Sequence, residues 1–218
     1  MNEMQPDYTQ MMGDTLGRTF YALNIECIAL HVKWTEFVGL FGTKQRVDLL
    51  NKAGGGLIRI IEDALFHEIV LHIWRMTDTH RKVLSLHVLL KHVDRALDPK
   101  LKPLFDTVAD ACSFADDWRH RWIAHRNLKL ATRPGNAKPI EDATRQGIDA
   151  AIASITKVLQ TVERHYCGGA ATAYEHSSFG LADSFLYVIR DGLDARNERM
   201  NALTRGEIHD VRPRPIDE

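Results

Sequence analysis

The stretch GDTLGRTFYALNIECIALHVKWTEFVGLF, residues 13–41, decides the fold class. Leu16, Phe20, Leu23, Cys27, Leu30, Trp34, Phe37 and Phe41 follow one another at alternating steps of four and three. Each such step returns close to the same side of an α-helix, so the eight residues form one apolar seam. A half-buried strand would need period-two alternation, and none of useful length occurs here or elsewhere in the chain. Gly42 follows the last apolar residue and predicts the helix stop.

The same period recurs down the chain. A second helix is predicted from Lys44 to Asp78, with Ile58, Ile61, Leu65, Ile69, Ile73 and Met76 as its stripe. Phe66, Val70, Leu71 and Trp74 make its second half apolar almost all round, which suits the centre of a bundle. The run Gly54-Gly55-Gly56 costs helix stability, about 1 kcal/mol per glycine relative to alanine, and predicts a close crossing or a local irregularity. No Gly-Lys-Ser/Thr follows it, so it is not a phosphate-binding loop.

Ser85 predicts a shorter helix carrying Leu86, Leu89, Leu90, Val93 and Leu97. Asp98-Pro99 reads as a cap and first turn. The long helix that follows presents Leu104, Val108, Ala111, Ala115, Trp118 and Trp122 on one side. Pro134, Gly135 and Pro139 mark a loop. Ile148, Ile152, Ile155, Leu159, Val162 and Tyr166 form the next seam, closed by Gly168-Gly169, and a last helix is predicted from Phe179 to Leu203. The expected fold is all-α, an antiparallel bundle of four to five long helices with an extra C-terminal helix. Along the chain this reads as a loose N-terminus over 1–12, a bundle over 13–168, a helical extension over 169–204 and a flexible tail over 205–218.

Composition narrows the function classes. The chain has 218 residues, 44% hydrophobic and 26% charged, with a net charge of −1. There is no global basic field of the kind that marks a general nucleic-acid binder, so any such contact must come from a local patch. Cys27, Cys112 and Cys167 have no paired spacing, which argues against a disulfide framework or a zinc knuckle and fits a reducing compartment. No signal peptide and no run of about 18 apolar residues is visible, so the expectation is a cytoplasmic protein without a membrane span. His67 and His72 are five apart, about 140° around a helix, which is wrong for two zinc ligands, and His87 with His92 fails for the same reason. His165 with Cys167 lacks a second pair. Neither a metal nor a cofactor is expected.

The chemistry concentrates in WRHRWIAHRN, residues 118–127. On an ideal helix Arg119 and His125 flank the buried seam on opposite shoulders, about 120° apart and about 9 Å along the axis. Arg126 falls near Arg119, Arg121 falls near His125, and His120 points to the far side. Arg119, Arg121, Arg126, Lys129 and Arg133 put five positive charges into 15 residues. A cationic site beside a packing seam suits an anion, and phosphate is the obvious one. The bland alternative is that these side chains make salt bridges with Asp116, Asp117 or other acids. Arg75 and Asp78, three apart on an apolar helix, read as a buried ion pair that fixes register, or else Arg75 lines the same cleft.

These residues resemble the HEPN superfamily, whose mark is an Arg, a polar residue after it, and a His after four to six intervening positions. Arg119, His120 and His125 fit that mark. The wider context is similar to the abortive-infection U-type branch: the Trp34–Phe41 end of the first helix, Val47 to Asn51, Leu71 to Asp78, Leu84 to Leu86, and Trp118 to Arg126. The resemblance implies a HEPN-like bundle and a metal-independent endoribonuclease of a toxin or phage-defence system, active as a homodimer on RNA. It implies Arg119 and His125 as catalytic residues and His120 as a support. Arg121, Arg126 and Lys129 would bind flanking phosphates, and an antitoxin or sensor protein would be a further partner. The alternative is a non-catalytic dimeric bundle that binds a protein, a nucleotide or RNA through the same patch.

Overall fold

The computed structural model describes residues 7–124, 128–132, 140–174 and 180–207. Among these the chain is helical and without strands: α1 Tyr8–Met12, α2 Asp14–Phe41, α3 Lys44–Thr77, α4 Leu86–Leu90, α5 Asp98–Ala111, α6 Ser113–Trp118, α7 Leu128–Thr132, α8 Arg145–Tyr166 and α9 Leu181–Thr204. A 3₁₀ turn, Arg95–Leu97, precedes α5, and a π turn, Arg119–Ile123, follows α6. The all-α bundle expected from the sequence is the fold found. No helix among the described residues is long and apolar enough to cross a membrane.

The chain divides into two compact units. One unit comprises Met1–Trp34 with Leu65–Ser178, the other Thr35–Ala64 with Phe179–Glu218. In the first unit the seam of α2 is buried from Leu16 through Phe20, Leu23, Cys27 and Leu30 to Trp34. The Ile148, Ile152, Ile155, Leu159 and Val162 stripe of α8 is likewise buried, and α8 lies along α5. Polar contacts join α2 to α8: His31 Nε2 lies 2.8 Å from Thr156 Oγ1, and Trp34 Nε1 donates to Asp149 Oδ1 at 2.6 Å. Contacts climb α2 as they descend α8, so the two helices run antiparallel. The last half of α3 adds Ile69, Val70, Ile73 and Met76 to this core. Burying side chains of this size stabilises the fold by about 1.5–3 kcal/mol each.

In the second unit Leu50, Ile58 and Leu186 form a small core, with Leu40, Phe41, Leu49 and Ile189 packed on it. The glycine run does bend α3, at Gly54, but open space surrounds it. The close approach is elsewhere: a Cβ added to Gly39 would stand 2.6 Å from Ala182 Cβ.

Three local expectations are corrected. Residues 8–12, expected to be loose, form α1, because Asp7 caps it and Tyr8 OH donates to buried Glu163 Oε1 at 2.7 Å. The helix predicted from Ser85 ends at Leu90, and Asp98 lies inside the first turn of α5, after the 3₁₀ turn capped by Asp94. The single long helix expected after Pro99 is three segments, for reasons given below. The loop over 133–139 and the tail beyond 207 lie outside the described residues.

Candidate functional site

The site is built where α5 gives way to α6. Cys112, at φ −102° and ψ 2°, interrupts the helix, and its N–H bonds back to Val108 O at 2.9 Å. Past the short α6, Ala124 N bonds to Arg119 O at 2.9 Å, a reach of five residues that makes 119–123 a π turn. Such turns are uncommon and gather at functional sites. Side-chain anchors hold the irregular stretch. Trp118 Nε1 donates to Glu141 O at 2.8 Å, and Glu141 N donates to Asp117 Oδ2 at 2.9 Å. Ideal α-helical angles therefore do not hold over Arg119–Ile123.

Four side chains close a ring at the mouth of the cleft beside this turn. The Arg119 guanidinium carbon lies 4.1 Å from the Trp74 ring centroid. Trp74 Nε1 donates to Asp116 Oδ1 at 3.1 Å. His120 Nδ1 lies 3.1 Å from both the Asp116 backbone oxygen and Asp116 Oδ1. Arg119 Nη1 closes the ring on His120 Nε2 at 2.8 Å. A guanidinium can only donate, so Nε2 accepts and the imidazole proton in this arrangement sits on Nδ1, facing Asp116. The cleft, of about 680 Å3, also takes in Asp78, Thr79, His80 and His87. A cation held over an indole, beside an imidazole that accepts from it, is suited to grip a phosphodiester oxygen.

The sequence-predicted residues separate into groups. Arg119 and His120 come together in the ring, and Asp78 lines the same cleft while accepting from His80 N at 2.8 Å. Arg75 does not pair with Asp78. Its partner is Glu68, at 2.9 Å, about two helical turns back on the same face, and the pair is half-exposed rather than buried. Arg121 is held by Asp117 at 3.0 and 3.1 Å, with only 19% of its side chain exposed. Lys129 lies on α7, its side chain outside what the structure describes. His125 and Arg126 lie outside the described residues. Among the described residues no group of three or more His, Cys, Asp and Glu is placed to hold a metal.

Trp74 and Asp116 are the members that sequence reasoning did not assign to the site. Asp116 sits four residues before His120, the spacing of facing side chains on a helix, and this was its one available signal. Trp74 reads as a core anchor, because nothing in the sequence brings α3 beside α6.

Behind the site, α2 and α3 share a polar chain. Lys33 Nζ lies 2.8 Å from Glu68 Oε1 and 3.3 Å from His72 Nδ1, and Glu68 Oε1 also takes Arg75. The two cations hold the Glu68 carboxyl below its ordinary range against the opposing effect of burial. Glu26 Oε2 stands 2.8 Å from His72 Nε2, out of hydrogen-bonding alignment.

Compared with known protein families, the chain matches the HEPN family model described as AbiU2 over residues 13–184. No curated protein and no solved structure matches it.

Proposed function

The chain belongs to the AbiU2 family of HEPN proteins, and from that premise we propose that it is a metal-independent endoribonuclease of a toxin or abortive-infection system. The observation that carries the reading is the ring of Arg119, Trp74, Asp116 and His120, which presents a cation at the mouth of an open cleft.

In the proposed reaction the RNA 2′-oxygen bonds to the adjacent phosphorus and the bond to the 5′-oxygen breaks, leaving a 2′,3′-cyclic phosphate. His125 takes the 2′-OH proton or delivers one to the departing 5′-oxygen; imidazole, with an ordinary pKa of about 6.5, suits both tasks. Arg119 binds the equatorial phosphoryl oxygens, where negative charge builds in the transition state. His120 holds Arg119 in place through its Nε2. Arg126 and Lys129 meet flanking phosphates. A second copy of the chain supplies the other proton-transfer group from its own motif, and Leu57, Ile60, Phe185 and Val188 offer exposed apolar surface for such pairing. The protein works in the cytoplasm, under an antitoxin or sensor protein.

The test is expression of wild type, His125→Ala and Arg119→Ala in bacteria, with growth followed and total RNA run on a gel. Slowed growth and RNA fragments confined to wild type are expected, and purified wild type keeps its activity in EDTA. RNA that stays intact in all three, while still binding the purified protein, would shift the reading to a non-catalytic binding bundle.

A further inference from the structure

A second cavity, of about 930 Å3, adjoins the Arg119 cleft and shares Thr79 and His87 with it. Its wall is apolar: Leu90, Val93 and Phe105 are half-buried and Leu101 is buried. Phe105 meets the His87 ring edge to face, with centroids 5.3 Å apart. Burial pushes the His87 pKa below its ordinary value, with Asp78 opposing and Lys91 assisting.

The rim carries the opposite character. Arg81, Lys91, Arg95 and Lys102 line it and are exposed, and among the described residues none of the four forms an ion pair. Asp98 and Asp106 are the carboxylates of the same lining, so four cations face two anions and the local balance is +2, against −1 for the whole chain. The charge selects an anion. The aromatic floor and the volume select one that also carries a flat ring, since a bare phosphate would cover none of the ring surface that half-buried Phe105 and His87 leave open to the cavity.

We propose that this cavity is a nucleotide subsite: it takes one unpaired RNA nucleotide next to the phosphate held at Arg119, with the base against Phe105 and His87 and the nucleotide's phosphate among Arg81, Lys91, Arg95 and Lys102. The shared wall at Thr79 and His87 makes the two sites continuous, as successive nucleotides of one strand require. Base-on-aromatic stacking with cationic rim contacts is how single strands are held without sequence-reading hydrogen bonds. The inference rests on the ribonuclease reading for the identity of the strand.

The probe is a fluorescein-labelled hexamer of 2′-O-methyl ribonucleotides, which cannot be cleaved because it has no free 2′-OH. Its binding to the full chain is read by anisotropy. Phe105→Leu keeps apolar volume but removes the ring face, and is expected to weaken binding about tenfold. Lys91→Glu with Arg95→Glu is expected to weaken it at least as much and to flatten its salt dependence. Equal affinity of wild type and Phe105→Leu, or no binding of the hexamer by wild type, overturns the subsite. Should Phe105→Leu fail to fold by circular dichroism, photocrosslinking of a 5-iodouridine hexamer to wild type decides. Attachment at Phe105 or His87 is expected, and attachment only elsewhere overturns the proposal. Hexamer binding that depends on Phe105, with cleavable RNA left intact, keeps the subsite and removes the ribonuclease. Cleavage with binding indifferent to Phe105 does the reverse.

Discussion

The guanidinium carbon of Arg119 lies 4.1 Å from the centroid of the Trp74 ring, so a residue of the π turn is steered by one from α3. Cation–π contact at a partly solvated site contributes about 0.5–2 kcal/mol, and Trp does this better than Phe. The same indole fixes Asp116 through its Nε1, and Asp116 in turn fixes His120.

On the ribonuclease reading proposed above, Trp74→Leu is therefore expected to lower kcat/KM for RNA about tenfold, through loss of Arg119 positioning. Trp74→Phe keeps a ring face but loses the donor to Asp116 and is expected to fall between. Steady-state cleavage of a short fluorogenic RNA measures both. A Trp74→Leu enzyme with unchanged kcat/KM would mean that Arg119 needs no indole to hold it.

His72 gives the molecule a pH-dependent stability. Its side chain is 1% exposed, and burial first, then the charge of Lys33, push its pKa down to about 4, with Arg75 assisting and Glu26 and Glu68 opposing. Lys33 can only donate, so His72 Nδ1 accepts and the neutral ring carries its proton on Nε2. The unfolded chain binds a proton near pH 6.5 while the folded chain resists until about 4. Between those values the unfolded state holds more protons, so stability falls as pH falls, and this group has no further effect above about 6.5. The loss at pH 4 is on the order of 3 kcal/mol. Urea titrations from pH 4 to 7 are expected to show this slope in wild type and a shallower one in His72→Gln. Parallel slopes for the two proteins would mean that the acid sensitivity comes from other groups.

The seams were legible because burial follows the helical period: Leu16, Phe20, Leu23, Cys27 and Leu30 are each at most 4% exposed. Local signals ran out where a distant partner decides the conformation. Tyr8 is ordered by Glu163, 155 residues away, and no pattern near Tyr8 announces it. The break at Cys112 and the π turn at Arg119 flank side chains, Asp117 and Trp118, that reach Glu141 more than 20 residues on, and a helical wheel drawn through 118–127 contains no such contact. The ring that holds Arg119 needs α3 beside α6, with Trp74 and Asp116 42 positions apart. The Arg119–His120 pair is contiguous and so legible in the sequence, whereas the contact of Trp74 with Arg119 joins distant positions and is not.

Thiol chemistry separates the three cysteines. Burial pushes the Cys27 and Cys112 thiols up to about 12, while half-buried Cys167 is raised by burial and by the Glu163 charge. Thiolate is the reactive form, so iodoacetamide at pH 8 is expected to modify Cys167 first. Cys27 and Cys112 are expected to react only after urea unfolds the chain, as peptide mass mapping would read. Early labelling at Cys27 would show that the α2–α8 seam opens in the native state.

Arg121 is read from the sequence as a phosphate ligand and bonds Asp117 in the structure, which gives a direct test. Read as a phosphate ligand, its loss would weaken RNA binding. In the structure it is committed to Asp117, whose Oδ2 also accepts from Glu141 N, so one carboxylate ties the π turn to the start of the segment before α8. With 19% and 22% of the two side chains exposed, the pair is partly desolvated and removal of one partner leaves the other poorly satisfied. Asp117→Asn is expected to cost about 1–3 kcal/mol in thermal or urea unfolding, because it weakens both bonds. Arg121→Gln is expected to cost about 1 kcal/mol and to leave hexamer affinity within about threefold of wild type. Stability unchanged, with affinity down tenfold, would return Arg121 to the phosphate-binding role. Arg119→Gln supplies the contrast: loss of the Trp74 contact is expected to cost no more than about 2 kcal/mol, and on the proposed ribonuclease reading cleavage falls far more than that loss explains.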